Sequence, residues 1–134
     1  MTPTSPTAET EIITKTSPRS VDDTVARLSD LIEHRGLKLF AVIDQAAEAR
    51  NVGLQLRPTT LVLFGSPLAG TPVMDAAPLA ALDLPLKILV WADQDRTHVS
   101  YFSPAALAAR YDLHADLAQN LAGINPLADA LVAE

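Results

Sequence analysis

The stretch from Leu54 to Trp91, LQLRPTTLVLFGSPLAGTPVMDAAPLAALDLPLKILVW, limits the possible folds more than any other part of the chain. It holds two apolar, strand-like runs, Leu61 to Phe64 and Leu86 to Trp91. Between them lie a turn with Gly65, Ser66 and Pro67, a helix-start signal at Thr71 and Pro72, and a second turn at Asp83 to Pro85. Short apolar runs bounded by glycine and proline are strands of a buried sheet, and Thr-Pro fits a cap followed by the first helical position. The stretch therefore predicts two neighbouring strands bent around a short capped helix. No catalytic or cofactor motif falls inside it.

The remaining chain reads as one domain around this centre. At 134 residues and 49% hydrophobic content it is long enough to bury a core without staples. Residues 1 to 8, MTPTSPTA, offer nothing to bury and are expected to be a disordered tail, leaving 9 to 134 as a single domain. Cysteine is absent, which removes disulfides, thiolate metal sites and cysteine nucleophiles. The first 20 residues lack a secretory apolar core, and no later run approaches the roughly 20 apolar residues needed to cross a bilayer. A soluble cytoplasmic protein with no membrane partner is the expectation. The net charge is -6 and the ten Lys and Arg residues are scattered, so no basic face exists for nucleic acid.

In chain order, Glu9 to Thr16 is a β-prone first strand closed by Ser17-Pro18. Ser20 is an N-cap, Asp22 and Asp23 suit the first helical turn, and Val21, Val25, Leu28, Leu31 and Ile32 step by three and four. Gly36 ends that helix, whose other face of Arg27, Asp30, Glu33 and Arg35 is expected to be solvated. Leu37 to Asp44 is nearly all apolar, a strand with both faces at least partly covered. A short helix over Gln45 to Asn51 precedes the strand Thr59 to Phe64. After the central stretch, Asp93 to Arg96 turns the chain into the strand His98 to Phe102. Ser103-Pro104 starts a helix over Ala105 to Tyr111, and the rest is helical with a break at Gly123 to Pro126. Strands joined by turns favour antiparallel pairing, and helices on one face then make a two-layer α+β domain.

The runs FAVIDQAAEA, GLQLRPTTLVLFGSPLAGTPVMDAAPLAALDLPLKILVWAD and VSYFSPAALAARY closely resemble the "domain of unknown function 302" family, from about Thr10 to about Leu113. The resemblance implies a small α+β fold of the TATA-binding-protein-like type, ordered strand, helix, four antiparallel strands, helix. It implies no activity. Where members of that family often carry a histidine after the Ile-Asp pair, this chain has Gln45, so a metal or general-base role for that histidine does not transfer.

The candidate sites cluster in the central stretch. Gly65 to Pro67 and the helix start at Gly70 and Thr71 suggest an anion site, because a helix N-terminus offers unpaired N–H groups. Lys87 would add positive charge to that corner. Asp83, flanked by Leu82, Leu84 and Pro85, is expected to have a raised pKa or to accept backbone N–H bonds in its turn. Asp44 is expected to pair with Arg57. His34, His98 and His114 stand at no metal-ligand spacing, and Ser66 lies outside any nucleophile elbow. Three readings follow. The first is a binding module for a small molecule or anion, with Gly65, Ser66, Gly70, Thr71 and Lys87 as polar rim, Asp83 beside them, and Met74 and Trp91 as apolar floor. The second is a homodimer, formed through a sheet face or the alanine-rich C-terminal helix, without a ligand. The third is an enzyme using Asp83 or Asp44 as acid or base.

Overall fold

The computed structural model describes residues 11–134. The tail expected over 1 to 8 and the expected strand start at Glu9 lie outside them. The described chain begins with β1 (Ile12–Ser17) and α1 (Val21–His34). The Ser20 hydroxyl accepts from the Asp23 amide at 3.0 Å, and Gly36, at φ +70°, closes the far end of α1. There Leu37 N–H donates to the Ile32 carbonyl and Gly36 N–H to Glu33, so glycine supplies the left-handed backbone that a side chain resists.

Next come β2 (Lys38–Asp44), α2 (Gln45–Asn51) and β3 (Thr59–Gly65). α3 (Pro67–Ala76) and a 3-10 helix (Pro78–Asp83) lead to the hairpin of β4 (Leu86–Asp93) and β5 (Arg96–Phe102). The chain finishes with α4 (Pro104–Arg110), the single turn α5 (Ala115–Ala118), a 3-10 turn at Gln119–Leu121, and α6 (Ile124–Val132). The five strands form one antiparallel sheet in the order β1-β5-β4-β3-β2. This is the α+β order of strand, helix, four strands and helices, in two layers.

Period-two alternation decides which side chains meet the helices. Thr60, Val62 and Phe64 of β3, and Ile88 and Val90 of β4, are buried. The four apolar ones pack with Leu28 and Ile32 of α1 and Leu127 and Leu131 of α6 in the main core. Each such side chain contributes roughly 1.5–3 kcal/mol of burial. The intervening residues, Leu61, Leu63, Lys87, Leu89 and Trp91, share the outer face, and none belongs to that core. A second apolar cluster, built on Val73, Ala80, Leu107 and Leu121, lies where α3, the first 3-10 helix, α4 and the second 3-10 turn meet.

Three expectations are corrected. The central helix starts at Pro67, with Ser66 as its cap through the Ala69 amide at 3.3 Å, and Pro72 falls inside it. Ser66-Pro67 is as good a start as Thr71-Pro72, and starting earlier buries Val73 on the inward side. β2 is an edge strand rather than a covered one: Leu39, Phe40 and Val42 are 40–45% exposed, and its register with β3 shifts between Leu39 and Ala41. Arg27 is not on a solvated face either, because its guanidinium donates to the Ala130 carbonyl at 2.9 Å. Arg19 donates likewise to Leu131 at 3.1 Å and Ala133 at 2.9 Å, so two arginines donate to carbonyls at the C-terminal end of α6, where the helix dipole favours a cation.

Candidate functional site

At the end of the sheet where β3 finishes and β4 begins, the layers do not close on one another. A hollow of 710 Å³ lies between the sheet, α3 and the segment from Asn120 to Pro126. Its walls are mostly apolar, with Phe40 and Phe64 on the sheet side, Met74 on α3, Leu84 on the connection into β4 and Leu86 at the start of that strand. Sequence explains the opening. The 3-10 helix and Pro78 stop α3 short, and Gly70 keeps the α3 wall thin: a Cβ there would meet Leu84 Cδ1 and Met74 Cε at 3.9 Å.

Of the residues singled out in the sequence, Ser66, Gly70, Thr71 and Met74 line this hollow together. Gly65, Asp83, Lys87 and Trp91 do not. Gly65 ends β3 opposite Lys38. Lys87 pairs with Leu63 and points with it to the outer face, and so does Trp91. Trp91 is therefore no floor for Met74. Its indole N–H donates to Ser100 Oγ at 2.9 Å, and its ring lies 4.6 Å from that of His98.

The anion site expected at Thr71 is not formed, because no helix begins there. At the true start, Ser66 takes up the donors: Ala69 N–H bonds its hydroxyl and Gly70 N–H its carbonyl at 2.8 Å. Polar character in the hollow comes instead from Arg35, Ser66, Thr71 and Asn120. Asn120 donates its side-chain amide to the Ala69 carbonyl at 3.0 Å, tying the C-terminal segment to α3. Sequence reasoning missed Arg35, Phe40 and Asn120 as wall residues. The signal available for Arg35 was its place beside Gly36, which turns the chain towards β2.

Asp83 sits outside the hollow in a network of its own. It accepts from Tyr111 Oη and from Arg110 Nη1 at 2.9 Å, with Lys87 Nζ at 3.8 Å. Arg110 and Lys87 also approach the Phe102 ring at 5.3 and 6.0 Å. Burial pushes the Asp83 carboxyl up, but the Tyr111 and Arg110 hydrogen bonds and the neighbouring cations outweigh it, and its pKa is lowered. This corrects both the expected rise and the expected backbone acceptor role. Tyr111 is raised by the same hydrogen bond. The network ties the first 3-10 helix to β4 and α4, and its low-pKa carboxylate is a poor proton donor. Asp44 does not pair with Arg57. Its carboxylate accepts from Ala47 N–H at 2.9 Å and caps α2, while Arg57 meets Asp93 at 3.3 Å. Among the described residues no three His, Asp or Glu side chains gather in a way that would hold a metal ion.

A family model described as "Domain of unknown function DUF302" matches residues 13–131. Two curated relatives bear the name fluoride-specific ion channel FluC 1. That of Brucella suis is 35% identical over 103 residues, covering 76% of this chain and 41% of the relative. That of Brucella abortus is also 35% identical over 103 residues, covering 76% and 38%. The chain thus spans about two fifths of the length of these relatives. Among the described residues no helix is long and apolar enough to cross a membrane. A crystal structure of an uncharacterized conserved DUF302 protein from Bacillus stearothermophilus superposes with a TM-score of 0.76 at 18% identity, over 90% of this chain and 94% of that one. That likeness extends to the fold.

Proposed function

The chain belongs to the DUF302 family, and from that premise we propose that it is a binding module for a small, largely apolar molecule held in the hollow beside α3. The observation that carries the reading is the hollow itself, 710 Å³ with apolar walls, within the roughly 300–1,000 Å³ usual for small-molecule sites. Binding would remove Phe40, Met74 and Leu84 from water, the main source of affinity in such sites. Fluoride is not the occupant this reading supports, because the amides of Ala69 and Gly70 are bonded to Ser66 and the walls are mostly apolar, suited to a hydrocarbon body that fluoride lacks.

The test is native mass spectrometry of protein from its own host, followed by titration with the neutral apolar dye Nile red. The expected result is a retained small molecule or one saturable dye site, with dye binding lost in Gly70→Leu, whose side chain would extend from α3 into the hollow. Folded protein that carries no small molecule and takes up no dye overturns the reading.

A second reading, homodimerisation, is favoured by the outer sheet face. Ile12, Leu61, Leu89, Trp91 and Phe102 lie there outside the main core, and Ile12 is 37% exposed. If that face is an interface, Leu89→Glu will convert a dimer to a monomer in sedimentation, and a wild-type monomer at high concentration removes the reading.

A further inference from the structure

We infer that the hollow selects an amphipathic carboxylate, with its hydrocarbon body against the apolar walls and its carboxylate at Arg35. The inference rests on the binding reading above and names its ligand class. Arg35 is the one charged residue lining the hollow among the described residues, and it takes part in no ion pair there. Lys38 is not a wall residue, but its Nζ lies 5.0 Å from the centroid of Phe40, which is, and it too lacks a carboxylate partner among the described residues. In a chain of net charge -6, two cations without counter-charges beside an apolar opening favour an anionic head group. No acidic side chain lines the hollow to oppose it. The planar guanidinium of Arg35 presents paired donors that match a carboxylate. The rest of the wall, with Phe64, Met74, Leu84 and Leu86, offers no second charge, so the ligand carries its charge at one end.

The test compares dodecanoate, its methyl ester and dodecylammonium by calorimetric titration against wild type and Arg35→Gln. Arg35 is exposed, so this substitution spares the fold. The expected result is that dodecanoate binds wild type about two- to fivefold more tightly than the ester, in line with an ion pair near the surface. Arg35→Gln should erase that preference by weakening dodecanoate more than the ester. Equal binding of acid and ester, tighter binding of the ammonium, or a preference that survives Arg35→Gln overturns the carboxylate assignment and leaves the binding reading standing. Failure of all three to bind folded protein, including exclusion by a second copy seated over the hollow, overturns both.

Discussion

The side-chain amide of Asn120 reaches the carbonyl of Ala69 at 3.0 Å, and both residues line the hollow. This bond joins segments 51 residues apart in sequence. Without it, α3 is held on that side by apolar contacts such as Val73 against Leu121. Asn120→Ala should therefore lower stability by about 0.5–1.5 kcal/mol, the usual value of one hydrogen bond. Urea denaturation will measure it, and amide exchange in α3 should quicken more than in β4.

Asp83 sets an acid limb on stability. Its folded pKa lies below the ordinary value of 3.8 through the Tyr111 and Arg110 hydrogen bonds. A carboxylate with a depressed folded pKa contributes stability that is fully present above its unfolded pKa and is lost as pH falls through the folded one. At neutral pH, Asp83→Asn should cost about 1–3 kcal/mol, the range for a partly buried group hydrogen-bonded to a cation. That gap should narrow as pH is lowered past 3.8 in denaturant titrations, whereas a constant gap would show that the charge of Asp83 contributes nothing.

Two glycines should respond to alanine with opposite signs. Gly36 has φ +70° with nothing within 4 Å of where a Cβ would stand, so Gly36→Ala strains the backbone alone and should cost about 1–2 kcal/mol. Gly70 lies in α3 at an ordinary φ, and its added carbon makes only van der Waals contacts. Gly70→Ala should raise stability by about 0.5–1 kcal/mol. Thermal melts of the two single variants check both.

Local signals carried much of the architecture. The Ser20 cap, the acidic first turn and Gly36 bracket α1 because caps and left-handed turns depend on a few adjacent residues. The hairpin turn after Asp93 was harder to read, since Gln94 adopts the positive φ that glycine usually supplies. The central helix was misplaced because Ser66-Pro67 and Thr71-Pro72 are equally good local starts, and burial of Val73 separates them. The site was only half legible for a similar reason. Alternation along β4 shows that Lys87, Leu89 and Trp91 share a face, but the position of α1 and α6 decides which face is covered. Lys87 in that row was the clue that it faces outward. Arg35 and Asn120 reach the hollow from distant parts of the chain, a convergence that no spacing encodes.

The placement of Trp91 has a practical result. It is the sole tryptophan of the chain, and it stands on the sheet surface turned away from the hollow, its indole bonded to Ser100 and tilted against the His98 ring. Intrinsic fluorescence is therefore blind to direct contact with a molecule beside Met74, yet it would register a second subunit laid over the strands. The chain carries its own optical means of telling occupancy from association.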